Sequence, residues 1–138
     1  MKIVVNAPVI VHEGRNILRI KSDVEIVHMT GPGICRFKRT KGIWDTGATH
    51  TSIPLSTAKA LGLELGDEVM SMGVTAKGSS YPCEFLLNFP SLGAIRVREG
   101  LAVENMRTPL IIGMDVMRHG EVTMHPDGSG GVVFTFSI

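Results

Sequence analysis

The sequence predicts an all-β domain with one or two short helices, and three observations carry that prediction. Short apolar stretches separated by turn residues recur along the whole chain. Sixteen glycines and seven prolines punctuate its 138 residues, a density that suits many tight turns. Only one segment carries the boundary signals of a helix. The length fits one domain able to bury a sizeable core, and residues 1–138 are read as a single unit without repeat or linker.

Taken in order, Val9-Ile10-Val11 and Ile17-Leu18-Arg19-Ile20 flank the turn-like His12-Glu13-Gly14-Arg15-Asn16 and predict an early hairpin. Val24 to His28 forms the next strand, ended by Gly31-Pro32-Gly33. Ile34 to Lys38 begins another that leads towards Ile43-Trp44-Asp45. The helix spans Pro54 to Leu61: proline suits a first turn, the alanines favour helix, and Gly62 supplies the stop. Val69 to Met72 and Tyr81 to Leu87 then bracket Gly73 and Gly78 as the arms of a long hairpin. Leu110-Ile111-Ile112-Gly113 is a buried-strand pattern. The final hairpin turns at Pro126-Asp127-Gly128, and Val132, Phe134, Phe136 and Ile138 give its second arm one apolar face.

Composition narrows the functional classes. The chain is 43% apolar and 20% charged with a net charge of +1, which supplies no electrostatic footprint for nucleic acid or an anionic membrane. The basic run from Arg36 to Lys41 reads as a solvated strand face or loop. No stretch approaches the roughly 18 apolar residues of a membrane span, and Asn6 and Pro8 interrupt the N-terminus before a signal-peptide core develops. Two cysteines form neither a disulfide framework nor a four-ligand zinc site, so a cytoplasmic, reducing setting is expected. The five histidines are scattered, and neither a metal nor a cofactor is expected. Cys35 and Cys83 sit in no activating motif; both read as buried structural thiols and not as a nucleophile paired with His50.

The chemistry concentrates in Asp45-Thr46-Gly47-Ala48, entered through Ile43-Trp44. One carboxylate sits there in a small-residue turn at the end of a strand, an arrangement suited to activating water. The chain carries one copy, so chemistry needing two such carboxylates requires two chains.

With its Ala48-Thr49 continuation, the glycine-bearing hairpin of residues 69–87 and the later Ile111-Ile112-Gly113-Met114-Asp115, the chain resembles the retropepsin-like aspartic peptidases. The likeness runs over residues 17 to 124. It implies a closed acid-protease-type β-barrel with a flap hairpin, assembled as a homodimer around a polypeptide substrate. It implies Asp45 as the catalytic residue of each subunit, Thr46 bracing the two loops, and Gly47 allowing close approach of backbone. Ala48, Gly73, Val74, Thr75, Gly78 and Ile111 would line the substrate site, the glycines at a hairpin tip that opens and closes. Retroviral members pair an acidic residue four positions after the catalytic aspartate with an arginine after the Ile-Gly element. Thr49 and Met114 occupy those positions here, so both partners of the pair are absent together and the resemblance is to the non-viral type. Asp115 remains, with a structural role expected. The alternative is a peptide-binding or adaptor module on the same fold, with little or no turnover.

Overall fold

The computed structural model describes residues 1–70 and 78–138. Its elements are β1 (Lys2–Ala7), β2 (Ile10–His12), β3 (Arg15–Ile17), β4 (Lys21–Gly31), β5 (Ile34–Trp44), β6 (Ser52–Pro54) and α1 (Leu55–Ala60). There follow β7 (Val69–Met70), β8 (Ser79–Phe89), β9 (Gly93–Val103), β10 (Ile111–Ile112), α2 (Met114–Met117), β11 (Glu121–Pro126) and β12 (Val132–Ser137).

Six strands close into a barrel in the order β4-β5-β10-β6-β9-β8, with β8 returning to β4 through Glu25↔Asn88, Ile26↔Leu87 and Val27↔Leu86. Strand β7 extends β8 on the outside of this ring. Closure removes the free edges that an open sheet would expose. Most pairings are antiparallel; β5 with β10 and β6 with β9 are parallel. This is the acid-protease-type barrel that the resemblance implies.

Period-two alternation decides what fills it. Val24 and Ile26 point inward from β4, Cys83, Phe85, Leu87 and Phe89 from β8, and all are buried. Ile53, Leu110 and Ile112 complete the centre at 0% exposure. A second sheet, β1-β12-β11, packs over the barrel. Its apolar face carries Phe134 and Phe136, which meet Trp44 at ring-centroid distances of 5.0 and 5.2 Å. Phe89 stacks on the same indole at 5.5 Å. Three aromatic rings thus hold the residue before Asp45, and the indole Nε1 donates to Ser22 Oγ at 2.8 Å so that no polar group is stranded.

Helix α1 starts after Pro54 and stops at Leu61, with Gly62 at φ +69 supplying the left-handed turn that ends it. The early hairpin forms as β2–β3. Strand β4 runs in both directions beyond Val24–His28, because its partners β5 and β8 are each eleven residues long. Strands β1 and β9 are not among the strands expected from sequence, although Ile95-Arg96-Val97-Arg98 alternates within β9. The basic residues Arg36 to Arg39 lie exposed on β5, as a solvated strand face.

Cys35 corrects the sequence reading: it is exposed, because it sits near the tip of the β4–β5 hairpin, beyond the barrel wall. Cys83 is buried as expected, and burial pushes its thiol up to about 11. Both are free. Among the described residues no helix is long and apolar enough to cross a membrane.

Candidate active site

The site grows from the way β5 ends. Ile43 and Trp44 pair in parallel with Ile111 and Ile112, and the ladder finishes with Asp45 N–H donating to the Ile112 carbonyl at 2.9 Å. The chain then passes over the end of β10 and returns on its other side as β6, where Ser52 pairs with Ile111. Residues 45–51 therefore bridge two strands that flank the same short one, and both ends of the loop are fixed by sheet hydrogen bonds.

Within the loop, Ala48 N–H closes a turn on the Asp45 carbonyl at 3.1 Å. Gly47 N–H donates to Asp45 Oδ1 at 2.9 Å, the local side-chain-to-backbone turn that aspartate favours. This bond fixes the carboxylate's orientation while Asp45, Thr46 and Gly47 remain exposed. A Cβ at Gly47 would lie 3.2 Å from Asp45 Oδ1, a tight contact; glycine keeps that approach open.

A buried clamp holds the loop from beneath. Gly113 packs so closely that a Cβ there would stand 2.8 Å from the Ala48 carbonyl oxygen and 2.9 Å from the His50 carbonyl carbon. Met114 N–H donates to the Ala48 carbonyl at 2.8 Å, and Asp115 N–H to that of Thr49 at 3.2 Å. The Asp115 carboxylate accepts the Thr51 hydroxyl at 2.7 Å and the Thr51 N–H at 3.0 and 2.9 Å, and the Val116 N–H at 3.0 Å. Thr51, at 0% exposure, in turn accepts Gly113 N–H at 3.0 Å through its Oγ1. Thr49 and Met114, where retroviral members place their ion pair, thus lie where backbone bonds join the loop to helix α2, and Asp115 supplies the charge-assisted bonds.

The structure brings Asp45, Thr46, Gly47 and Ala48 together with Ile111 beneath the loop's return, half-buried between Ile43 and Ser52. Gly78 lies on the turn side of the β7–β8 pairing, just beyond Met70↔Ser79, where a Cβ would meet the Glu104 carbonyl oxygen at 3.2 Å. Gly73, Val74 and Thr75 fall outside the described residues. The part that sequence reasoning missed is Thr51. A threonine between His50 and Ser52 carries no signal of complete burial; only its place in a loop that must pass under Gly113 reveals it.

Residues 37–119 match the family described as "gag-polyprotein putative aspartyl protease". The chain belongs to this family. The matched segment of this aspartyl protease family member contains the Asp45 loop, β8 and the Gly113–Asp115 clamp, and leaves out β1 to β4, the start of β5, and β11 to β12. No curated protein matches the sequence. Among solved structures, the chain is similar to a retropepsin-like aspartic protease from Rickettsia conorii, with a TM-score of 0.60 at 12% identity, over 99% of this chain and 91% of that one. That likeness is one of fold. It is also similar to the retroviral protease-like domain of Ddi1 from Leishmania major, with a TM-score of 0.46 at 18% identity, over 70% and 85% of the two chains. The second superposition is too loose to bear on fold or function.

Proposed function

We propose that the protein is an aspartic endopeptidase that assembles as a homodimer and hydrolyses polypeptides with Asp45 from each subunit and an activated water. The observation that carries this reading is the presentation of Asp45: an exposed carboxylate, oriented by Gly47 N–H, on a loop braced by Thr51, Gly113 and Asp115. A single carboxylate can accept a proton from water but cannot also protonate the substrate carbonyl. Two held about 3 Å apart cannot both ionise, so they share one proton and supply base and acid at once; aspartic proteases are the standard instance of this effect. One loop per chain then requires a second chain.

Thr46 would brace the facing loops, and the hairpin that β7 and β8 begin would cover an extended substrate, with Gly73, Val74, Thr75 and Gly78 contributing to it. Ala48 and Ile111 would form the floor. Main-chain pairing in such a cleft gives affinity, and side-chain pockets give selectivity. A reducing cytoplasmic setting fits two thiols that are both free.

The test is cleavage of a peptide library across pH and protein concentration, alongside Asp45→Asn. Asparagine keeps an oxygen for the Gly47 bond and removes the titrating group, so activity should fall about 10²–10⁴-fold with folding intact. Specific activity should rise with protein concentration until the dimer saturates, and the rate should be bell-shaped in pH. Full activity in Asp45→Asn would overturn the proposal. Peptide binding by a well-formed dimer, with no cleavage at any pH, would transfer support to a binding module.

A further inference from the structure

A concavity is built by residues that precede the family-matched segment. A cavity of about 410 Å³ opens between the end of β1, the β2–β3 hairpin and the start of β4. Val5, Ala7, Pro8 and Ile17 give it an apolar floor. Ile10 is 59% exposed, a large apolar side chain left in water at the cavity mouth. The polar members are Asn6, His12, Arg19 and Lys21, and among the described residues no carboxylate lines the cavity.

The cations are available. Asp23, next along the outer face of β4, is engaged by Lys41 at 2.6 Å. Glu13 lies 3.9 Å from His12 Nε2. Among the described residues neither Arg19 nor Lys21 takes part in an ion pair. An apolar floor with an uncompensated cationic rim matches a ligand that joins apolar groups to a carboxylate. The volume falls within the range of about 300–1,000 Å³ typical of ligand pockets and exceeds what one carboxylate needs.

Register ties the cavity to the chemistry. Lys21 pairs with Ile43, and Trp44 N–H donates to the Ile20 carbonyl at 2.9 Å. Arg19 and Lys21 therefore flank the residue bonded to Trp44, and Trp44 precedes Asp45. The cationic rim thus stands one strand across from the start of the Asp45 loop. All the lining residues lie at or before Lys21, whereas the family match begins at residue 37, so the cavity is a feature of this chain beyond the matched core.

We propose that this cavity is an accessory subsite for a short apolar segment of the polypeptide substrate that carries adjacent carboxylates. Arg19 and Lys21 hold the acidic groups while Ile10 and Ile17 receive the apolar ones. The enzyme thereby selects acidic-apolar sequence on one side of the cut bond. The inference rests on the peptidase reading for its meaning, but its binding step is measurable without catalysis.

Two dye-labelled decapeptides with the same apolar residues, one carrying three Glu and the other three Gln, are titrated by fluorescence anisotropy against Asp45→Asn protein. The Glu peptide should bind about tenfold more tightly. Adding Arg19→Glu and Lys21→Glu should abolish or invert the difference, and Arg19→Gln with Lys21→Gln should erase it. Thermal melting of each variant, matched to its parent, verifies the fold. In a proteome-derived peptide library, wild-type cleavage should show Asp and Glu enriched at a fixed distance from the cut, and the charge-reversed enzyme should prefer Lys and Arg there. Equal binding of the two peptides, or a difference that survives charge reversal, would overturn the proposal. So would Asp45-dependent cleavage with no acidic preference, which leaves the peptidase reading intact. Glu-selective binding with no Asp45-dependent cleavage would instead sustain acidic-peptide recognition at the cavity and overturn the peptidase reading. Saturation by decanoate, without response to the Glu peptide, would assign the cavity to a small amphiphile and overturn the substrate role.

Discussion

Replacing Asp115 by alanine should be among the most damaging single changes outside the barrel core, although the residue never reaches the exposed carboxylate of Asp45. Its carboxylate accepts four hydrogen-bond contacts from three donors: Thr51 N–H, Thr51 Oγ1 and Val116 N–H. Bonds to a charged acceptor contribute about 1.5–3 kcal/mol each, and a buried donor left without a partner costs about 1–3 kcal/mol. Thr51 is wholly buried, so its N–H has no water to turn to. Its hydroxyl can still accept Gly113 N–H, but must lose its own acceptor. Counting the two Thr51 donors and discounting Val116, whose N–H also has the Gly113 carbonyl at 3.2 Å as an acceptor, gives a loss of about 3–4 kcal/mol. That is a large share of the about 5–15 kcal/mol expected for a domain. Trp44 is the only tryptophan and is buried, so its emission reports unfolding in urea directly. Asp115→Asn, which retains one acceptor oxygen, should lose less than half as much. Asp45→Asn should lose almost nothing, because Asp45 is exposed and the Gly47 bond survives. An Asp115→Ala protein within 1 kcal/mol of wild type would refute the clamp.

Three further outcomes follow from other parts of the molecule. Trp44→Phe keeps the aromatic cluster but strands Ser22 Oγ, and should cost about 1–3 kcal/mol; Trp44→Ala should cost about 3–5 kcal/mol, both read by thermal circular dichroism. The Asn88 side-chain amide and the Arg39 guanidinium hold the Glu25 carboxyl below its ordinary value. The stability this contributes is present above the unfolded carboxyl's pKa of about 4.3 and is lost as pH falls through the lower folded value. Glu25→Gln should therefore narrow the difference in urea midpoint between pH 5 and pH 3. Iodoacetamide at pH 8 should modify Cys35 in the native protein and leave Cys83 untouched until unfolding, as counted by intact mass. Because the Cys83 thiol is raised, its contribution to stability is complete below the unfolded thiol's value of about 8.5 and declines towards 11.

Legibility in the sequence followed the physical reach of each signal. Local signals worked: the stop of α1 at Gly62 requires only a left-handed residue after the helix, and β12 alternates because one face covers Trp44. The Asp45 loop was legible because its residue types are dictated by a turn that four neighbours build. Strand β9 was not, since only Ile95 to Arg98 alternates within its eleven residues and its partners β8 and β6 supply the rest of the order. Cys35 misled because a short apolar-flanked stretch reads as wall, whereas the β4–β5 hairpin carries it past the barrel. Thr51 and Gly113 lie 62 residues apart in the chain and meet only when β10 inserts between β5 and β6. No local pattern encodes that meeting.

The two supports of Asp45 act on different coordinates of the same side chain. The aromatic cluster fixes where β5 ends, since Trp44 cannot move along its strand without breaking contact with Phe89, Phe134 and Phe136. The Thr51–Gly113–Asp115 clamp fixes how the loop lies over β10. A loop presented to a second copy of itself needs both, because an error of about 1 Å in either subunit can cost about 10²-fold in rate. Gly113→Ala separates the two. Its Cβ would have to move from 2.8 Å to ordinary contact beyond 3.4 Å from backbone atoms, displacing the loop by about 0.6 Å while leaving the aromatic cluster in place. Overpacking of this kind costs about 1–3 kcal/mol, so the variant should fold, keep native tryptophan emission, and lose activity by about tenfold or more. Activity within twofold of wild type in a folded Gly113→Ala protein would mean that the position of the loop over β10 does not govern the chemistry.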